Sequence, residues 1–258
     1  MKHMKQLLFV ALAAMFGIQT SQAQEIEYGL FNHLGAGLSV GTDGIGFDVA
    51  APITEWAAVR AGLSFFPKIK YDDDAEIRSN SKSFTKKKVN IEGELNVCDF
   101  KMLFDFYPIK NSGFHLTAGA FIGSKKIVKA YNTEEFLARD EWGVSGIMIG
   151  DYRVTSDKNG NCQANIEVAG FKPYVGIGFG RAIPKSRINV SCDFGVKFWG
   201  KPCLGAVTTT DFGEKKYTKI HYKDLTKEDD EDLRDGLKTA EKITVFPVLN
   251  IRLTGRIF

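Results

Sequence analysis

Three features of this 258-residue sequence predict an all-β protein, an eight-stranded antiparallel up-and-down transmembrane β-barrel with short periplasmic turns and three long extracellular loops. First, several segments alternate apolar and polar residues for about ten positions, the length a tilted strand needs to cross a bilayer. Second, the connections are alternately turn-like and long. Third, the chain has 26 Gly and 20 Phe against 7 Pro, a balance suited to many short alternating segments.

The beginning of the chain reads as a signal peptide over residues 1–23. Lys2 and Lys5 give a positive start, Leu7 to Ile18 an apolar stretch, and Ser21-Gln22-Ala23 a small-x-small cleavage site. The apolar stretch is too short for a membrane anchor. Residues 24–258 then form the barrel. They contain no run of roughly 18 apolar residues, so no transmembrane helix is expected. The net charge is +3 and falls by two, to +1, without Lys2 and Lys5. That balance gives no bulk attraction for nucleic acid.

Eight strands are read at 28–40, 44–52, 56–66, 89–107, 113–127, 168–182, 187–200 and 243–258. In "RINVSCDFGVKFWG" one face carries Ile188, Val190, Cys192, Phe194, Val196 and Phe198, and the other Asn189, Ser191, Asp193, Gly195 and Lys197. In "FHLTAGAFIG" the apolar face is Phe114, Leu116, Ala118, Ala120 and Ile122. In "FKPYVGIGFGR" it is Phe171, Val175, Ile177 and Phe179, while Gly176, Gly178 and Gly180 face the other way. "GIGFG" lacks the third glycine and the helix of a nucleotide fingerprint, so these glycines are read as room for long charged neighbours. The fourth segment changes phase: Ile91, Leu95 and Val97 give way to Phe100, Met102, Phe104 and Phe106. A bulge near Cys98 would explain this.

"APITEW", "PIKNSG" and "IPKSR" are short turns. The alternate connections are "GTDG" and long stretches at 67–88, 128–167 and 201–242. An even strand count puts both chain ends on the short-turn side, the periplasm, and the long loops outside the cell. The final strand, "NIRLTGRIF", ends on Phe258 with no tail, as a strand that closes a barrel can.

"DFYPIKNSGFHLTAGAFIG", "YVGIGFGRAIPKSRINVSCDFGVKFWGKP" and "FPVLNIRLTGRIF" resemble the small outer-membrane β-barrel proteins of Bacteroidetes, and through them the eight-stranded membrane domains of outer-membrane protein A and outer-membrane protein W. The resemblance implies the outer membrane of a Gram-negative bacterium. It also implies that Phe258 is the signal read by the barrel-assembly machinery, although Phe258 shares parity with Arg252 and Arg256. The function expected for a closed barrel that anchors long loops is structural or surface interaction. A narrow porin-like channel for small or hydrophobic solutes is the alternative, and lipid A modification a third.

With apolar faces toward lipid, the lumen receives His33, Asp48, Arg60, Glu92, Glu94, Asp105, Lys172, Asp193, Lys197, Arg252 and Arg256. Eight strands leave a bore that side chains fill. Mixed charges in it must pair, so a salt-bridge network is predicted, with an open polar channel as its alternative. Lys86, Lys87, Lys88, Lys125, Lys126 and Lys129 cluster where strands four and five reach the outside, a candidate contact for lipopolysaccharide phosphates or an ordinary solvated loop base. The acidic runs Asp72–Asp74 and Asp229–Asp232 lack calcium-loop spacing, so no metal and no cofactor is expected. Thr226 caps a predicted short helix on the barrel rim, with Leu233, Leu237 and Ala240 as its stripe. Of the four cysteines, Cys162 and Cys203 lie near the outer mouth and could form a disulfide, while Cys98 and Cys192 lie on non-neighbouring strands. Phe65, Phe66, Tyr107, Phe114, Phe198 and Trp199 bunch at strand ends as an interfacial girdle would. Lipid A chemistry would need a histidine with a serine or an acid at the outer rim. His33 and His115 sit low or mid-strand facing the lumen and His221 is in the last loop without a clear partner, so no enzyme is expected. The long loops are the segments that could meet an extracellular partner.

Overall fold

The computed structural model describes residues 27–77, 87–132, 146–149, 152–155, 162–209, 215–225 and 231–257. The predicted signal peptide, Thr226, Lys86 and Phe258 lie outside them. The strands, in chain order, are β1 (Gly35–Gly41), β2 (Gly44–Thr54), β3 (Ala57–Ile77), β4 (Lys87–Phe106), β5 (Phe114–Gly123), β6 (Lys126–Asn132) and β7 (Gly146–Ile149). They continue as β8 (Tyr152–Thr155), β9 (Gln163–Glu167), β10 (Phe171–Phe179), β11 (Ile188–Phe198), β12 (Cys203–Thr209), β13 (Lys215–Ile220) and β14 (Val245–Arg256). One helix, α1 (Glu231–Ala240), precedes β14.

Eight strands close on themselves in the order β3-β2-β1-β14-β11-β10-β5-β4, and β4 pairs with β3 to complete the ring. Every pairing is antiparallel. Burial follows the alternation. Leu38, Phe47, Leu63, Phe104, Leu116, Ile177, Phe194 and Leu253 are exposed on the outside, while Asp48, Arg60, Asp105, His115, Asp193 and Arg252 are buried inside. In water such an exterior would be an aggregating surface. In hydrocarbon it is the favourable face, and ring closure leaves no backbone edge unpaired there.

The short turns and both described chain ends lie together at one end. Phe31 N donates to Pro52 O at 2.8 Å, and Ile257 N to Leu34 O at 2.8 Å. This is the inner end below; the outer end is opposite.

The long connections are not loops alone. β3 and β4 run well past the ring as one long ladder, and β6, β9, β12 and β13 continue the wall in adjacent pairs, with β8 and β7 added to β12. This corrects the loop reading of 67–88, 128–167 and 201–242. The physical reason appears along β4. Its odd residues Asp105, Leu103, Lys101 and Asp99 are buried inside, and its even residues Phe106, Phe104, Met102 and Phe100 are exposed outside. Beyond Cys98 the parity holds but the chemistry swaps. Val97 and Leu95 now point inward, and Asn96, Glu94 and Glu92 outward. The bulge lies instead in β3: Phe66 pairs with Val97 and Ile69 with Leu95. The phase change read in the sequence is therefore a change of solvent. Below Cys98 the wall faces hydrocarbon; above it the wall faces water.

The same swap holds across the outer tier. Leu95, Val128, Ile166, Leu204 and Ile220 form one inward row through successive pairings. Glu94, Lys129, Asn165, Gly205 and Lys219 form the adjacent outward row. The Leu204–Ile220 end of this row is covered by α1 and the turn Tyr222–Asp224. Ile220, Leu225 and Leu237 are buried together, with Tyr152, Leu204 and Tyr222 packed on them. The predicted helix is thus present, but its buried face packs under the outer tier. Only its C-terminal end reaches the rim, where Trp199 Nε1 donates to Ile243 O at 2.8 Å.

No disulfide joins Cys162 and Cys203. Cys203 pairs with Glu167 in the ladder, five positions from Cys162. At about 3.3 Å per residue that is roughly 16 Å, far beyond a disulfide's reach. Cys162 Sγ instead faces Val154 O at 3.8 Å.

Candidate functional site

The lumen is filled in layers. At the centre, Arg60 Nη2 donates to Asp105 Oδ1 at 2.7 Å and its Nη1 to Asp193 Oδ2 at 2.8 Å. Thr117 Oγ1 donates to Asp105 at 2.8 Å, and His115 Nε2 lies 2.8 Å from Asp193 Oδ1. Beside this group Arg252 Nε donates to Asp48 Oδ1 at 2.8 Å, and Arg252 Nη2 reaches the same oxygen. Lys101 Nζ lies 3.1 Å from Asp48 Oδ2, an ion pair without hydrogen-bond alignment. Toward the outer end Asp99 holds Lys172 at 2.6 Å and Lys197 at 3.4 Å. Each charge is buried, so each needs its partner at contact.

Glycine makes this packing possible. A Cβ on Gly178 would lie 2.4 Å from His115 Nε2 and 2.6 Å from Asp193 Oδ1. At Gly37 it would lie 2.5 Å from Arg252 Nε. The sequence reading of lumen glycines as room for long neighbours describes this contact.

Apolar layers separate and close the charged ones. Leu103, Phe121, Tyr174 and Val248 pack together across the bore, with Lys197 Nζ 3.9 Å above the Phe121 ring. At the inner mouth Tyr28, Ala50, Ala58, Tyr107, Ala182 and Ile183 form a second buried cluster. Tyr28 Oη donates to Ile183 O at 3.1 Å, and Arg181 lies over the Tyr28 and Tyr107 rings at 5.2 and 4.8 Å. Between the layers, a cavity bounded by Arg60, Leu103, Phe121, Tyr174, Val248 and Arg252 has about 10 Å³, room for one water.

Among the predicted lumen residues, Asp48, Arg60, Asp105, Lys172, Asp193, Lys197 and Arg252 come together here. Four predicted members do not. Glu92 and Glu94 project outward from β4 above the boundary, where they meet Lys70 at 2.5 Å and Lys68 at 3.2 Å. A bulge in β4 would put them inside; the irregularity is in β3, so they keep the outward parity of Phe100 and Phe104. Arg256 sits half-buried at the inner rim and donates to Lys185 O at 3.1 Å. His33 lies beside Tyr28, their rings 6.1 Å apart, below the charged layers. Asp99 and Lys101 were missed, although they share parity with Asp105. Tyr107, expected in the exterior girdle, is 3% exposed and faces inward, whereas Phe65 and Phe198 are exposed outside.

The lysine cluster divides. Lys125 and Lys126 are exposed at the rim between β5 and β6. Lys129 is half-buried one step higher, opposite Glu94. Lys87 and Lys88 open β4, at least ten residues before Cys98, so roughly 30 Å along the strand keeps them from the membrane surface. That corrects their part in a collar at lipid level. On the outward face Lys126 Nζ sits 4.5 Å over the Tyr217 ring. Tyr217 Oη bonds to Glu167, and burial, then that carboxylate, pushes the phenol up from its ordinary value. Among the described residues no group of His, Cys, Asp and Glu is arranged to hold a metal ion.

Fold and lumen together define a membrane-spanning β-barrel packed with side chains. No protein-family profile and no curated protein sequence matches the chain. Among solved structures it is similar to CarO2 of Acinetobacter baumannii, at 16% identity and TM-score 0.47 over 87% of this chain and 98% of that one. It is also similar to CarO of Acinetobacter baumannii, at 14% identity and TM-score 0.44 over 88% and 99% of the two chains. A major outer membrane protein from Thermus thermophilus matches at 13% identity and TM-score 0.38 over 87% and 98%. All three scores lie below 0.5, so the barrel rests on its own strand pairing.

Proposed function

We propose that this chain is an outer-membrane barrel of structural or surface-interaction type: a closed anchor that carries a water-facing outer tier. The Gram-negative outer membrane suits a barrel with an even strand count, both described ends at the short-turn side, and an apolar exterior. The strand segments that resemble small Bacteroidetes barrels point to the same setting, with a leader peptide and the assembly machinery in its biogenesis. The observation that carries the reading is the lumen, where buried ion pairs and two apolar clusters cross the bore. A porin-like channel would need a continuous water path through these layers. In this reading the barrel has no catalytic role, and His115, between Gly113 O and Asp193, is a buried member of the lumen network. The test is conductance in planar bilayers. The purified protein should insert and pass no steady current; reproducible current steps would replace the anchor with the channel.

A further inference from the structure

We propose that the rim where the barrel passes into its outer tier binds phosphate groups of lipids in the surrounding leaflet, through Lys125, Lys126, Lys201 and Lys242. Four chain segments meet side by side there. Val168 N donates to Lys125 O at 2.8 Å, Ala169 N to Trp199 O at 2.7 Å, and Trp199 N to Thr244 O at 3.2 Å. With strands about 4.8 Å apart, the row spans roughly 15 Å of the circumference. Its height is fixed by the side chains just below it. Ile122, Phe171, Phe198, Ile243 and Val245 are all exposed on the outer face. Side chains one step above such a band stand at headgroup level.

The charge at this row is uncompensated. Lys125, Lys201 and Lys242 are exposed and have no ion-pair partner among the described residues. The acids closest in sequence are engaged elsewhere. Glu167 is buried and held by Tyr217 and by Lys219 at 3.3 Å. Glu241 is buried and accepts from Tyr222 N at 3.0 Å, with His221 Nδ1 at 3.1 Å. By contrast, Lys68 and Lys70, a little further round, already have Glu94 and Glu92. Two of the rim lysines are also directed by their neighbours. The Lys125 stem crosses Gly170, where a Cβ would lie 3.0 Å from Lys125 Cε. Lys126 is laid over the Tyr217 ring. Uncancelled ammonium groups at the edge of a low-dielectric slab attract anions fixed in that plane more strongly than anions in bulk water.

The source of the phosphate is a diphosphorylated outer-leaflet glycolipid or a glycerophospholipid, and separate arms tell them apart. The protein is placed in nanodiscs of neutral lipid doped with lipid A, with dephosphorylated lipid A, or with phosphatidylglycerol, and retained lipid is counted by native mass spectrometry. We expect roughly tenfold preference for a phosphate-bearing lipid over the dephosphorylated one. Replacing all four residues (Lys125→Gln, Lys126→Gln, Lys201→Gln, Lys242→Gln) should abolish it, while Lys110→Gln with Lys185→Gln at the inner rim should leave it intact. Equal retention of all three lipids, or a preference that survives the fourfold change, overturns the proposal. It rests on the exterior being membrane-embedded: failure to enter the nanodisc would remove that reading, whereas insertion without phosphate preference removes this proposal alone.

Discussion

Asp193 accepts from Arg60, 133 positions away, and faces His115, 78 positions away. The residue is 6% exposed, and it is the junction of the central charged layer. Removing it leaves the Arg60 guanidinium with one carboxylate, Asp105, and the Thr117 hydroxyl, and His115 with Gly113 O as its hydrogen-bond partner. A buried cation left short of its partner is costly, because water cannot replace the carboxylate. Asp193→Ala should therefore destabilise the barrel by about 3–5 kcal/mol. Lys68→Ala breaks an ion pair whose lysine side chain is 68% exposed. There the loss should stay below about 1 kcal/mol. Urea unfolding of the lipid-refolded protein compares the two; equal midpoints would mean that the lumen charges are not truly desolvated.

At the scale of the element, β4 carries the main lesson. Its strand character, its antiparallel neighbours and its place in an eight-stranded ring were legible, because period-two alternation survives whichever solvent each face meets. What the alternation alone could not say is which solvent that is. Glu92 and Glu94 share parity with Phe100 and Phe104, and Leu95 and Val97 share parity with Asp99 and Asp105. A reader who assumes hydrocarbon along the whole strand must invent a bulge to reconcile them. The long connections read as loops for the same reason, since Leu95, Val128, Ile166 and Leu204 face the tier's interior while Glu94, Lys129 and Asn165 face outward, the reverse of the barrel wall. Asp99 and Lys101 were within reach of parity, whereas Tyr28 in the inner plug was not, because nothing local marks a residue that packs against Ile183. The boundary at Cys98 can be located by substitution. Phe104→Lys puts a charge into mid-membrane and should cost about 2–4 kcal/mol of insertion free energy, while Asn96→Lys, on the same face two positions beyond the boundary, should cost roughly 0–1 kcal/mol. Refolding titrations into liposomes measure both. Similar penalties at the two positions would place Asn96 in hydrocarbon and erase the second tier.

For the whole molecule, the closures lie in series. The inner plug, the central charged layer, the Leu103–Phe121–Tyr174–Val248 layer and the Asp99 group each occupy the bore at a different height. Resistances in series are governed by the largest one, so opening a single layer leaves the path blocked by the rest. A channel with one gate behaves differently, since loss of that gate opens the pore. Tyr28→Ala with Tyr107→Ala empties the inner mouth without touching the ion pairs; Arg60→Ala loosens the centre without touching the inner plug. Each variant alone should remain silent in planar bilayers, and only their combination with Phe121→Ala and Lys172→Ala, which thin the apolar layer and loosen the Asp99 group, should admit small ions. Current through the Tyr28→Ala, Tyr107→Ala protein by itself would show that the inner plug is the only barrier. The molecule would then be a gated channel, and the ion pairs behind the plug would be the lining of its pore.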